Sequence, residues 1–318
     1  MEQVPASSQH GQNAMEYKEE LFEIVGREDG NAEAISRPAM SMGKNGWVQL
    51  KKNKGALVSL FVVLCILIMA AFGPFMNKYE YYETDYSKIY QPPSEEHWLG
   101  TDKFGRDQWT RIWEGTRISL YIAFLAALLD LAIGVTYGSI SAIKGGKTDN
   151  FMQRIIEILV GIPNLIIIIL LIMLLKPGIF TITAAMVITG WVNMARLVRA
   201  QIFKLKEQEF VLASRSLGSS NRRLILHHLI PNTVGIIVIN MMFTIPSAIF
   251  MEAFLSFIGL GLQEPMASLG VLINDGFKAM RSNFYLLLYP AIVIVAIMVS
   301  FNILADGLRD ALDPKMRK

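Results

Sequence analysis

Cysteine is nearly missing from this sequence. Cys65 is the only one in 318 residues and sits inside an apolar run, which excludes an internal disulfide and a cysteine-rich metal site. Histidine is also scarce, limited to His10, His97, His227 and His228. None forms a His-Glu-x-x-His pair, and neighbouring helical positions point about 100° apart, so all four are expected at the surface rather than as ligands. No Gly-x-Ser-x-Gly nucleophile elbow occurs. The stretch Gly145-Gly-Lys-Thr148 ends like a phosphate-binding loop, but Ser141 stands where that loop needs its first glycine. Charge is thin as well: 18% of residues are charged, against roughly a quarter in soluble domains. The net charge of +3 is too small to point to nucleic acid. The sequence therefore offers no catalytic group, no cofactor-binding residues and no metal ligands.

What it has instead is apolar length. A helix rising 1.5 Å per residue needs about 20 apolar residues to cross a hydrocarbon layer of about 30 Å. Six segments meet that need: Gly55–Phe75, Ile118–Ile143, Ile155–Leu175, Ile179–Val198, Val234–Leu255 and Leu286–Ala305. The expected fold is all-α, a polytopic membrane protein with six transmembrane helices. Lys176-Pro177-Gly178 separates the third span from the fourth and suits a tight hairpin. Pro163, Pro246 and Pro290 are expected to kink their spans. The first apolar run starts only at Gly55, so no cleaved leader is expected at Met1. The chain divides into a polar tail over 1–46, an N-terminal transmembrane segment over 47–76, an external loop over 77–116 and a core over 117–318. Within the tail, Tyr17, Leu21, Ile24 and Val25 fall at helical spacing.

Lysine and arginine set the orientation. Lys44, Lys51, Lys52 and Lys54 precede the first span. Lys144, Lys147 and Arg154 follow the second, Arg196 to Arg223 follow the fourth, and Lys315, Arg317 and Lys318 end the chain. With six spans these segments share one side, while the opposite loop carries Glu80, Glu83, Asp85, Glu95, Glu96, Asp102, Asp107 and Glu114. Both termini are therefore expected in the cytoplasm.

The segment 204–231 contains two short helical stretches around Gly218, a residue suited to the left-handed conformation that ends a helix. Ser220 or Asn221 can cap the second stretch, and Pro231 is expected to stop it. Leu224, Ile225, Leu229 and Ile230 oppose Arg222, Arg223 and His227, giving an amphipathic helix across the membrane surface. Amphipathicity alone suits lipid headgroups as well as a groove in a partner protein. The spacing weights the second. Glu209, then Leu212-Ala213-Ser214, Gly218 and His228-Leu229-Ile230-Pro231 resemble the coupling loop of ABC-importer permeases: Glu-Ala-Ala, three residues, Gly, nine residues, Ile-x-Leu-Pro. Ala213, Gly218 and Pro231 fit. Leu212, Ser214 and His228 depart, and Ile230 replaces leucine conservatively.

Three further stretches carry the same resemblance. His97-Trp-Leu-Gly-Thr-Asp-Lys-Phe-Gly-Arg-Asp107 is similar to a signature of C-type permeases of peptide importers; Glu252 to Gly261 and Asp306 to Pro314 are the others. The resemblance implies the type I ABC importer permease fold and a role as half of the pathway for oligopeptide uptake. It further implies a homologous second permease, two cytoplasmic ATPase subunits that use ATP and Mg, and an extracytoplasmic peptide-binding protein. By that resemblance the chain sits in the bacterial inner membrane and is not itself an enzyme. A dipeptide or nickel importer permease, and a membrane-anchored interaction or sensor protein, are the alternatives. The spans show no filter motif for an ion channel.

Inside the spans, Asp130 stands mid-helix, where a lone charge costs about 2.5 kcal/mol or more on insertion scales. It must face the bundle interior, either on the translocation path or pairing helices, and Asn193, Asn240, Glu157 and Glu252 raise the same question. Gly134 and Gly138 form a small-xxx-small pair for close helix packing. Gly259–Arg281 lies outside, with Ile273, Phe277 and Met280 at helical spacing for a surface or re-entrant helix.

Overall fold

A computed structural model describes residues 42–312; the proposed helix around Tyr17–Val25 lies outside them. Among these residues the regular structure is all helical, apart from an isolated bridge between Thr101 and Asp107. Helix α1 (Met42–Leu50) packs on the last helix and leads into α2 (Lys54–Phe72) through Asn53, whose side chain caps α2 by accepting from the Ala56 N–H. A long loop follows. Then come α3 (Gln108–Lys144), α4 (Gly146–Gly161), α5 (Asn164–Leu175) and α6 (Ile179–Leu205). After these are α7 (Glu209–Ser216), α8 (Asn221–Arg223), α9 (Ile230–Phe257), α10 (Leu269–Ala279) and α11 (Tyr285–Leu312).

Among the described residues five helical segments are long and apolar enough to cross a membrane, and the pair α4–α5, bent by 78°, makes a sixth when taken as one span. The third span is thus bent at Pro163 as expected, and sharply enough to break it into two helices. Pro163 cannot donate the backbone bond that would continue α4 and disfavours a helical conformation at Ile162, which is extended, so the helix breaks there. The directions of the neighbours show that the bent pair nonetheless crosses. Helices α3 and α6 run parallel: a Cβ on Gly134 would lie 2.6 Å from Met194 Cβ, one on Gly138 would meet the Ala195 carbonyl, and Lys206 reaches the Ala142 carbonyl. The chain between them must return. Along α6 in reverse, Asp149 meets Arg199, Ile156 packs with Val192 and Ala195, and Asn164 bonds Thr189. The glycines of α3 do what small residues do between membrane helices: they let the backbones approach.

The structure also corrects the length of the second and fifth spans. Helix α3 starts at Gln108, ten residues before the apolar run, because Asp107 caps it by accepting from the Thr110 N–H at 2.9 Å. Its first turns carry buried Arg111 and Glu114, so the external loop ends sooner than expected. At α9, Pro231 does not stop the preceding helix. Residues Asn221–Phe257 form one continuous span, with a π-helical stretch over Leu224–Leu229 just before the proline. Proline lacks an N–H and crowds the carbonyl four residues back. A widened turn absorbs that conflict, so the helix passes through.

The core lies between α3, α6, α9 and α11. Ile122, Ile182, Ile245, Ile249, Leu255 and Ile297 are fully enclosed in one cluster. Helix α2 contributes a narrow stripe of Ala56, Ser59, Val63, Ile66 and Ala70, and leaves Phe61, Leu64, Ile68 and Phe72 outward. On α11, Ile292, Val295 and Val299 are likewise exposed. Such outward apolar faces suit lipid tails.

Candidate functional site: a coupling surface and a polar groove

The basic residues of the connections gather at one end of the bundle, where α3, α6, α7, α9 and α11 meet. Val211 of α7 and Leu224 and Leu229 before α9 are buried against Ala142, Ile143, Val198 and Ile202, so the loop between α6 and α9 is anchored on the ends of the spans. The turn itself is exposed. Gly218 adopts φ +82°, donates its N–H to the Arg215 carbonyl and has no atom near its absent side chain. Ser214 Oγ lies 2.9 Å from Ser219 Oγ and 3.3 Å from His228 Nε2, tying both sides of the turn together. Ser220, not Asn221, caps the second stretch, accepting from the Arg223 N–H.

Glu209, Leu212, Ala213, Arg222, Arg223 and Pro231 are exposed at this end, Ser214 and Ile230 partly so. Leu217 has 88% of its surface accessible and Phe210, Leu212 and Leu226 more than two-fifths. An exposed apolar cluster beside charged residues, mounted on a rigid base, is what a docking surface requires. The second stretch is not a separate helix lying flat, since it continues into α9; the surface is a helix-turn-helix corner. Leu217 went unnoticed in the sequence because it lies outside the spaced pattern.

A groove begins close to this end and runs along α9 into the bundle. Its first part, about 440 Å³, is lined by Gln201, Asn232, Gly235 and Arg309 among others; its second, about 270 Å³, by Asp130, Asn164, Asn193, Thr244 and Ser247. Asn240 and Phe243 line both. Asn240, Thr244, Ser247 and Met251 fall at i, i+4, i+7 and i+11 on α9 and form one helical stripe. That periodicity is visible in the sequence and was the signal available for Thr244 and Ser247. Asn164, Asn193 and Ser247 are exposed at the depth of the membrane spans. Hydrocarbon cannot satisfy such groups, so this face is turned to water or to protein.

Three of the five sequence candidates inside the spans separate. Asp130 is 5% exposed, with its carboxylate against Gly190 and no hydrogen-bond partner for Oδ1 among the described residues. Asn240 lies where the two parts of the groove join and donates to Met194 Sδ. Glu252 is fully enclosed and pairs helices: its carboxylate accepts from Ser119 of α3, Ser256 of α9 and Ser268, the cap of α10, at 2.7–2.9 Å.

At the opposite, acidic end the stretch His97–Asp107 is folded rather than loose. His97 is buried, not at the surface as expected, because its Nδ1 lies 2.9 Å from the Asp107 carboxylate that caps α3. Asp102 holds Arg106 Nε at 2.6 Å and Arg111 Nε at 3.4 Å. Lys103 joins this cap to Glu264 at 2.7 Å and to Asp275 of α10 at 2.9 Å. Burial alone would lower the lysine's pKa, but these two carboxylates raise it above its usual value. Helix α10 is present as anticipated, and Gly270 and Gly276 sit on its buried face. No cluster able to hold a metal occurs among the described residues.

Residues 134–318 match the family described as the binding-protein-dependent transport system inner membrane component. Residues 41–93 match the N-terminal transmembrane domain of oligopeptide transport permease C. The oligopeptide transport system permease protein OppC of Bacillus subtilis is 47% identical over 94% of this chain and 98% of its own. The dipeptide transport system permease protein DppC of the same organism is 46% identical over 94% of each. OppC of Escherichia coli K12 is 39% identical over 86% of this chain and 93% of its own. The MetNI methionine ABC transporter in an inward-facing conformation shares the fold, with a TM-score of 0.52 over 64% of this chain and 94% of the matched one, at 17% identity. The chain belongs to the binding-protein-dependent transport inner membrane components, and is a multi-span permease subunit with the ABC-importer permease fold.

Proposed function

We propose that this chain forms half of the transmembrane pathway of an ATP-driven importer of peptides. The observation that carries this reading is the stripe Asn240, Thr244 and Ser247 with exposed Asn164 and Asn193, a polar half-channel at membrane depth that needs a second wall. A homologous permease subunit supplies that wall. Two cytoplasmic ATPases, carrying ATP and Mg, dock at the corner around Gly218, where Glu209, Leu212, Ala213, Ser214, Arg222, Arg223, Ile230 and Pro231 lie. An extracytoplasmic peptide-binding protein delivers cargo at the acidic end, so both termini are cytoplasmic.

The physical division of labour follows. Swinging a two-state channel from 1:99 to 99:1 takes about 5.5 kcal/mol of differential binding. Nucleotide-driven closure of the ATPases and docking of the receptor supply that bias. The corner transmits it, since α7 is anchored by Val211 and the second stretch is continuous with α9. A push on the turn thus reaches the stripe that lines the groove.

Oligopeptides are the cargo this reading favours, because the N-terminal match and the OppC relatives carry that name. The DppC relative is nearly as similar, so dipeptides are the second reading. The test is uptake of labelled pentapeptide, dipeptide and nickel in cells lacking this chain and in cells where it is restored. Selective, rescued loss of pentapeptide uptake supports the oligopeptide reading. Loss of dipeptide or nickel uptake alone would transfer the cargo and leave the coupling argument in place.

A further inference from the structure

The inner part of the groove holds a carboxylate that no cationic side chain among the described residues neutralises. Asp130 is 5% exposed, and none of the residues lining the cavity of about 270 Å³ is a lysine, arginine or histidine. Its Oδ1 has no hydrogen-bond partner among the described residues, although native structures rarely leave a buried carboxylate oxygen unpaired without a reason. Its position is enforced by packing. Gly190 of α6 lies so close that a Cβ there would fall on the carboxylate, and α3 and α6 are held by the glycine contacts at Gly134 and Gly138. The acid therefore has little freedom to turn away.

Its neighbours have complementary chemistry. Asn164, Asn193 and Asn240 present side-chain amides around the same cavity, with Thr244 and Ser247 adding hydroxyls. Amides and hydroxyls both donate and accept, which matches a peptide backbone; a carboxylate only accepts when ionised. A buried anion is tolerated when a cation meets it.

We infer that Asp130 is a subsite in the pathway for a protonated amine of the cargo, with the surrounding amides receiving the peptide backbone. This rests on the reading of the groove as a peptide pathway. The amine has two sources, the peptide's N-terminal ammonium and a lysine side chain, and both fit a carboxylate in an amide-lined space. The subsite is a waypoint rather than a trap, because an unpaired acid attracts the ammonium while the open side of the groove lets it leave.

The test uses the assembled complex with Met251→Cys as a reporter on the cavity wall, in a Cys65→Ser background. Labelling rates are measured for a cationic methanethiosulfonate bearing an ammonium group and for a neutral one of similar size. The ammonium reagent should be favoured, and Asp130→Asn should reduce that preference about tenfold while the neutral rate stays as it was. Asp130→Ser, smaller than the native residue, is the second carboxylate-free variant should the amide disturb folding. Millimolar penta-alanine should slow labelling in the Asp130 protein, and its N-acetylated form should not. An N-acetylated pentapeptide carrying one lysine tells the two sources apart: protection places any ammonium in the site, no protection restricts it to the N-terminus. A reporter that reacts with both reagents but shows the same preference with and without Asp130 would overturn the subsite alone. Equal protection by free and acetylated penta-alanine, or protection by neither, would do the same. A reporter that reacts with nothing would overturn the pathway reading and the subsite together.

Discussion

Glu96 accepts from Lys88 Nζ at 2.6 Å and from the Tyr79 hydroxyl at 2.7 Å. The lysine first, then the tyrosine, hold its carboxyl down to about 2 from the usual 4.5. Burial, then the bond to Glu96, push the Tyr79 hydroxyl up from 10.0 to about 12. A depressed carboxyl stabilises above its unfolded pKa and loses that contribution as pH falls through the folded one; a raised hydroxyl stabilises below its unfolded pKa and loses it going up. Protection factors over residues 79–97, with the intrinsic pH dependence of amide exchange divided out, should therefore hold level from about pH 4.5 to about 10 and fall toward pH 2 and toward pH 12. Glu96→Gln should abolish the acid arm; an unchanged acid arm would contradict the assignment. Within the spans, Gly134→Leu would drive a side chain into Met194 and the Trp191 carbonyl, the second 2.8 Å from the glycine's absent Cβ. Overpacking of this kind costs about 1–3 kcal/mol, to be read as a lower Tm of the purified complex. Both glycines were legible in the sequence from their spacing alone. The role of His97 was not, because its burial depends on the cap of α3, Asp107, ten residues further on.

Among the elements, the bent span is the one whose shape the sequence understated. Its apolar run is long enough to cross, but the break at Pro163 leaves α5 only 12 residues, about 18 Å. What fixes α4 in place is distant in sequence: Arg199 on α6 grips Asp149 through Nε and Nη2 at 2.5–2.6 Å, and Ser141 donates to the same carboxylate. Asp149→Asn should destabilise the complex by about 1.5–3 kcal/mol, the scale of a charge-assisted hydrogen bond. Exchanging the two residues should recover part of that loss, and additive losses in the exchanged protein would remove the pair as the cause. At the corner after α7, Leu217 is the most exposed apolar side chain among the described residues. Leu217→Asp should weaken retention of ATPase subunits by about 1–2 kcal/mol, a factor of roughly 5–30, in titrations on nanodisc-embedded permease. Retention at the original affinity would place the docking surface elsewhere.

At the scale of the whole molecule, the number of crossings was readable from apolar length. The groove was only half readable. Asp130 and Asn240 stood out as polar residues in apolar helices, but Asn164 and Ser247 gain meaning only once α5, α6 and α9 are packed side by side. The same holds for Glu252, which the fold assigns to holding α3, α9 and α10 together rather than to the groove. In the proposed mechanism the corner joins these scales, because a left-handed residue at Gly218 sets the geometry of the turn that leads into α9. Valine there must adopt φ near +82°, a region that β-branched side chains avoid, so the turn reshapes while the buried anchors Val211, Leu224 and Leu229 remain. The most direct measurement reconstitutes the complete importer in proteoliposomes with native or Gly218→Val permease, and records ATP hydrolysed and peptide accumulated in the same vesicles. Assembly and hydrolysis that persist while uptake is lost would show the corner acting as the lever between nucleotide and channel. Peptide accumulation at the native rate in the Gly218→Val complex would contradict it.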